Sequence, residues 1–230
     1  MAMNPDKSVA DYRALAAHYD YSTRRINGVR RAAIDALALQ PGETVLDAAC
    51  GTGYCFAQLI DAVGSNGHLL AFDHSADLLA VARGRISAAG WRNVTLLESP
   101  AESVDFRGEM LRLGIPPPSA LLFSYVHDVM QSEAALDNLL SQAAPGARVA
   151  ITSTRLWPHS WWPLCVPVNR YLYRTHERYI TNREENFDRP WAKFATRLQD
   201  LRLRVHWPGW RYVVTGRLPP SASVAHRLLS

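Results

Sequence analysis

The chain has 230 residues, 48% of them apolar and 20% charged, with a formal net charge of +4. That length suits one α/β domain with some elaboration, and with no long run of one charge sign the composition argues against disorder. The three cysteines, Cys50, Cys55 and Cys165, lack framework spacing, and no Cys/His pair stands at zinc-finger spacing, so neither a disulfide scaffold nor a metal is expected, and a cytoplasmic location is.

The first residues, Met1 to Ala10, include Asp6 and Lys7 and no apolar h-region, so no signal peptide is read. Asp11–His18 and Arg24–Leu39 read as helices, and in the second Val29, Ala33, Ile34 and Leu37 keep a helical apolar period. Pro41-Gly42 ends it. Thr44–Ala48 reads as a buried strand, followed by a glycine-rich turn and a helix from Tyr54 to Val63. His68–Phe72 is a second strand ending at Asp73, and Ser75 is a candidate N-cap for a helix to about Ala89, closed by Gly90. Val94–Leu97 and Ala120–Tyr125 read as strands. Ser132–Ala143 reads as a helix, Pro145-Gly146 as a turn and Arg148–Thr152 as a strand. This alternation argues for a mostly parallel sheet covered on both faces.

Beyond it the pattern changes. Leu156–Arg189 is rich in Trp, Tyr, Arg and Pro, with a partial helical period around Val168–Tyr179. Pro190–Asp200 reads as a further helix. Leu201–His206 and Arg211–Thr215 alternate as strands around Trp207-Pro208-Gly209-Trp210, a hairpin turn. Leu156–Val168 is interrupted by prolines and is shorter than the ~20 residues of a spanning helix, so any membrane contact is expected to be peripheral. The arginines cluster at Arg24, Arg25, Arg30 and Arg31 and again from Arg155 onward; a solvated basic surface is the simpler reading, an anionic partner the other.

The segment Val45–Tyr54 carries the chemistry. Glycines between a first parallel strand and a first helix let the backbone turn sharply and approach a ligand. A plain strand–helix turn needs no acid, yet Asp47 ends the strand, and a buried carboxylate needs a partner such as a ligand ammonium. The spacing is neither the dinucleotide GxGxxG nor a P-loop. Asp47, Ala49, Gly51 and Gly53 resemble the first motif of class I S-adenosylmethionine-dependent methyltransferases, Asp-x-Gly-x-Gly-x-Gly, with alanine in place of the first glycine.

That resemblance, over roughly Ala17 to Ser153, implies a Rossmann-like, doubly wound α/β fold: a mostly parallel seven-stranded sheet with an antiparallel C-terminal hairpin. It implies one domain over 1–230, with an N-terminal helical lid (1–40), a cofactor-binding core (41–155), a substrate-side insertion (156–190) and a final helix and hairpin (191–217). It also implies S-adenosyl-L-methionine as cofactor and S-adenosyl-L-homocysteine as product. Asp73, about twenty residues beyond the glycine turn, falls where the family binds ribose hydroxyls; a helix N-terminal charge is its alternative. His74 follows it. After the third strand, Pro100 stands where the family often has an adenine-binding Asp, leaving Ser99, Glu102 or the Ala101 N–H for that contact. In the N-terminal segment His18–Arg24, Tyr19 and Arg24 resemble the entry of quinone and amino-lipid methyltransferases, where an aromatic roofs the cofactor and an arginine nears its carboxylate; a surface helix end is the alternative.

The fourth strand ends Ser124-Tyr125-Val126-His127-Asp128, the position facing the transferred methyl group in the family. Ser124 joins the cofactor set; Tyr125, His127 and Asp128 are the catalytic candidates. His127 suits a general base, since its ordinary pKa is about 6.5, and Asp128 could orient it or bind a cationic acceptor. Equally, His127 could simply cap a helix or hydrogen-bond the backbone. The Asn/Asp-Pro-Pro-Tyr and Pro-Cys motifs of nucleic-acid methylation are absent, which disfavours nucleic acid. Trp157, Trp161, Trp162, Tyr171, Tyr173, Tyr179 and Trp191 could wall an acceptor pocket, meet a lipid interface, or cover the core or a homodimer contact. The expected activity is methyl transfer to N, O or C of a small molecule. The alternatives are a lipid headgroup or quinone precursor as acceptor, or a non-catalytic cofactor-binding protein.

Overall fold

The computed structural model describes residues 26–156, 163–176, 189–207 and 209–220. In chain order the elements are α1 (Asn27–Ala36), β1 (Thr44–Ala48), α2 (Phe56–Val63), β2 (His68–Asp73), α3 (Ala76–Ala89), β3 (Val94–Glu98), α4 (Arg107–Leu113), β4 (Ala120–Ser124), α5 (His127–Gln131), α6 (Glu133–Ser141), β5 (Arg148–Thr154), α7 (Cys165–His176), β6 (Gln199–His206) and β7 (Arg211–Arg217). The strands form one seven-stranded sheet in the order β3-β2-β1-β4-β5-β7-β6. β1 to β5 pair in parallel, and β7 is antiparallel to both β5 and β6. This is the fold the sequence implied.

Strand alternation sorts side chains onto two cores. Leu46, Leu70, Leu121, Phe123, Val149 and Ile151 point to the face covered by α4, α5 and α6. Val45, Leu69, Leu122 and Ala150 point to the face where Val29, Ala33 and Ile34 of α1 pack beside Phe56, Leu59 and Ile60 of α2. The parity has a functional consequence: Asp47 shares the face of Val45 and therefore looks toward α1.

Local chemistry sets several boundaries. Ser75 Oγ accepts from the Leu78 N–H at the start of α3, and Gly90, at φ +68°, ends that helix in a left-handed cap. Ser132 Oγ caps α6 in the same way through the Ala135 N–H. β4 stops at Ser124 because Tyr125 sits at φ +62°, a left-handed conformation rare for an aromatic residue; its N–H donates to the Thr152 carbonyl at 2.8 Å.

One expectation is corrected. Residues 190–200 are not a helix: they hold a 3₁₀ turn, Ala192–Phe194, before β6 begins at Gln199. Tertiary contacts decide this, for Phe194 is fully buried with its ring edge-on to Phe123 at 5.0 Å, and Arg197 bonds Glu133 and Asp137 of α6. The short helices α4 and α5 were not read, because runs of seven and five residues are too short to show an apolar period. The expected helices at Asp11–His18 and at residues 24–25, and Pro208 of the hairpin turn, lie outside the described residues. Among the described residues no helix is long and apolar enough to cross a membrane.

Candidate active site

The carboxyl ends of parallel strands are where open α/β sheets bind ligands. Here the loops leaving β1, β2 and β4 meet α1 and α3 around a cleft open to solvent. The floor is the turn after β1, where Ala49, Gly51 and Gly53 have φ of +48°, +56° and +72°. Hydrogen bonds tie it to β2: the Cys50 N–H donates to the Phe72 carbonyl and the Gly51 N–H to Asp73 Oδ2, both at 2.8 Å. Ala49 alone there carries a side chain in a left-handed conformation. Ala49→Gly is therefore expected to stabilise the ligand-free protein by about 1 kcal/mol in a denaturant titration; a loss of stability would show that Ala49 is not strained.

One end of the cleft is built on a buried charge pair. Asp47 is only 2% exposed, and its Oδ2 has no hydrogen-bond partner. Burial pushes its carboxyl pKa up to about 7, with the Arg30 guanidinium pulling the other way. Arg30 comes from α1 and is itself buried. Its Nε donates to Ser124 Oγ at 3.3 Å, and its guanidinium lies 5.0 Å from the Tyr54 ring centre and 5.4 Å from that of Tyr125. One nitrogen, Nη1, is buried without a partner. An orphaned acceptor and an orphaned donor of opposite charge in one cleft fit the ammonium and carboxylate of an amino-acid group.

The other end is acidic. Asp73 is buried and accepts from the Gly51 N–H and, at 2.9 Å, from the Ser75 N–H. A carboxylate has about four acceptor sites, so it keeps capacity for hydroxyl donors. Burial raises its pKa, and nearby His74 opposes that rise. Asp128 lines the same cleft, half-buried, and burial raises its pKa too.

The structure brings together Asp47, Ala49, Gly51, Asp73, His74, Ser124, Tyr125 and Asp128 of the predicted residues. Gly53 supports the turn from beneath, against Phe56. His127 is buried at the start of α5, on the opposite face of the sheet from Asp47; its Nε2 meets Ser153 Oγ at 2.6 Å, and it does not line the cleft. Ala101 and Glu102 also stand outside the cleft lining. The Ala101 carbonyl accepts from Asn138, and Glu102 Oε1 accepts from the Ser132 hydroxyl. Tyr19, Arg24, Trp157, Trp161, Trp162 and Tyr179 lie outside the described residues, and Tyr173 lies where no side chain is described. Trp191 covers the core, its ring 4.6 Å from that of Tyr212.

Sequence reasoning missed Arg30, Tyr54 and the two cleft cysteines, Cys50 and Cys55. Burial raises both thiols, that of Cys55 to about 12, so neither is a ready nucleophile. For Arg30 a signal existed: with Ala33, Ile34 and Leu37 it occupies i, i+3, i+4 and i+7 of the buried stripe of α1.

A family model described as a methyltransferase domain matches residues 39–186. The chain belongs to that family. The resemblance to class I S-adenosylmethionine-dependent methyltransferases read from the sequence is borne out, and with it S-adenosylmethionine as the family's cofactor. Among curated relatives, the demethylmenaquinone methyltransferase of Shouchella clausii is 29% identical over 112 residues, covering 46% of this chain and 48% of its own length. The 2-phytyl-1,4-naphtoquinone methyltransferase of Synechococcus elongatus is 33% identical over 126 residues, covering 53% and 50%. The chain thus spans about half the length of the curated relatives it matches. A solved S-adenosylmethionine-dependent methyltransferase of Aquifex aeolicus aligns over 82% of this chain and 89% of its own, at TM-score 0.53 and 19% identity, a likeness of fold.

Proposed function

We propose that this chain transfers the methyl group of S-adenosylmethionine to a small-molecule acceptor, and that a quinone-precursor ring is the acceptor class. The observation that carries the first part is the orphaned Asp47–Arg30 pair over the glycine turn. The second part is supported by the names of the relatives. In this reading Asp47 takes the cofactor's ammonium, Arg30 its carboxylate, and Asp73 the ribose hydroxyls. His74 and Asp128 stand at the adenosine end. The bound cofactor would supply an activated methyl group on a sulfonium centre, so the protein's task is to orient and desolvate the acceptor. Tyr125, held in its strained turn beside Arg30, is the acceptor-side group. His127, bonded to Ser153 behind the cleft, positions that turn rather than removing a proton from the acceptor. The layout of a single domain with an N-terminal lid and a substrate-side insertion belongs to the same reading, as do a cytoplasmic location and peripheral contact with membranes.

Calorimetric titration with S-adenosylmethionine and S-adenosylhomocysteine, followed by labelled methyl transfer to a naphthoquinol, tests it. Micromolar binding, on the order of −8 kcal/mol, and labelled product are expected. Binding without labelling of any quinol, phenol or amine would leave a cofactor-binding protein, and absence of binding would end the reading. Asp73→Ala is expected to weaken cofactor binding by on the order of 1–3 kcal/mol through lost charged hydrogen bonds; an unchanged affinity would remove Asp73 from the ribose role.

A further inference from the structure

Among the described residues β6 is the last strand of the sheet and pairs only with β7. Native sheets usually blunt such an edge with charge on both faces or with a covering element. β6 instead divides its side chains. Leu203 stands opposite Val214 and Val205 opposite Tyr212. Both partners are buried on the α4–α6 side, so that core's apolar surface runs outward onto the edge strand. There it is exposed: Leu203 is 46% and Val205 40% exposed, Leu201 of the same strand is 37% exposed, and Trp207, just past the strand, is 92% exposed. Arg202 and Arg204 stand opposite Thr215 and Val213, on the other face. Both are exposed, and neither has an ion pair with any described residue.

The direction of β6 matters. It is antiparallel to β7, which is antiparallel to β5, so β6 runs with the parallel strands. Its carboxyl end, with Trp207, therefore lies at the edge of the sheet that carries the cleft. Three strand spacings separate it from β4, about 14 Å.

We infer that this edge docks on an anionic lipid surface: Trp207, Leu203 and Val205 enter the interfacial layer while Arg202 and Arg204 meet acidic headgroups. Charge selects this occupant over a second copy of the chain. The antiparallel β6–β6 registers that set Leu203 opposite itself or opposite Val205 also set Arg202 opposite Arg204 or Arg204 opposite itself, and like charges directly opposite are destabilising. The docked orientation turns the cleft mouth toward the bilayer, where an apolar acceptor would partition; only that last point rests on the proposed acceptor.

The test is flotation of the full chain with phosphatidylcholine vesicles, with and without phosphatidylglycerol, in the absence of methyl donor and acceptor. Binding to the anionic vesicles alone, weakening as salt rises, is expected. Trp207→Ser and Leu203→Glu should each lower it at least tenfold. Arg202→Gln with Arg204→Gln should lower it and flatten the salt dependence. Each variant should keep wild-type affinity for S-adenosylmethionine, which reports an intact fold. Failure to float, equal flotation of the variants, or a dimer in sedimentation that the same substitutions dissociate would each overturn the inference. Because no methyl transfer is measured, that failure leaves the proposed activity standing, and an inactive enzyme that floats as described leaves the docking standing.

Discussion

Asp47→Asn is expected to raise the stability of the ligand-free protein at pH 8 while weakening S-adenosylmethionine binding roughly 100-fold, the loss of a charged hydrogen bond. The opposite signs come from one carboxyl. Its pKa in the fold is about 7, well above the ~3.9 of an unfolded chain. Between those values the folded state holds the extra proton, so stability falls as pH rises from about 4 to about 7 and stays low above it. The total is roughly 4 kcal/mol. Asparagine mimics the protonated carboxyl, so the variant's advantage is near zero at pH 4 and greatest at pH 8. Binding behaves inversely, because an ammonium needs the ionised acid. Wild-type affinity should drop about tenfold per pH unit below about 7, and that of the variant should not. Thermal unfolding at several pH values with calorimetry checks both halves. A variant destabilised at pH 8, or one that binds as well as wild type, would mean that Asp47 is paired within the protein and not reserved for a ligand.

Gly53→Ala is expected to destabilise the protein by about 2–5 kcal/mol. At φ +72° any side chain is strained, by about 1–2 kcal/mol. A Cβ there would also lie 2.7 Å from ring carbons of Phe56. Phe56 is fully buried at the start of α2, among Val45, Leu59 and Ile60, so its ring has little room, and overpacking adds about 1–3 kcal/mol. Gly51→Ala is the control. Its φ is +56°, but the nearest atom to an added Cβ is Leu78 Cδ1 at an ordinary 3.8 Å, so only the backbone strain applies. Equal destabilisation of the two variants in urea titrations would show that the contact with Phe56 relaxes freely.

The contrast between these glycines shows how far the chain could be read in advance. The strands, the cap at Ser75, and the order of acid, glycine turn and second acid are local patterns, and local patterns survive folding because they depend on neighbours in sequence. Hence β1 has the bounds its apolar run predicts, and Asp47, Gly51 and Asp73 meet where the motif implies. Residues 190–200 misled because Phe194 and Arg197 are held by partners on β4 and α6, which no window of sequence contains. His127 lies behind the cleft for a related reason: the left-handed turn at Tyr125 sends the chain into α5 on the far face of the sheet, toward Ser153.

Arg30 lies between the two cases. The sequence by itself determined that it falls on the buried stripe of a helix, where a guanidinium requires compensation. Only the tertiary structure brought Asp47 into the same cleft, because strand parity points it toward α1 from a position far along the chain, and burial of both charges in one cleft is a property of the packed faces. The sequence likewise determined the alternation of apolar and basic residues on β6. That this strand ends as the sheet's bare edge, beside the cleft, was decided by sheet order, which long-range pairing alone establishes.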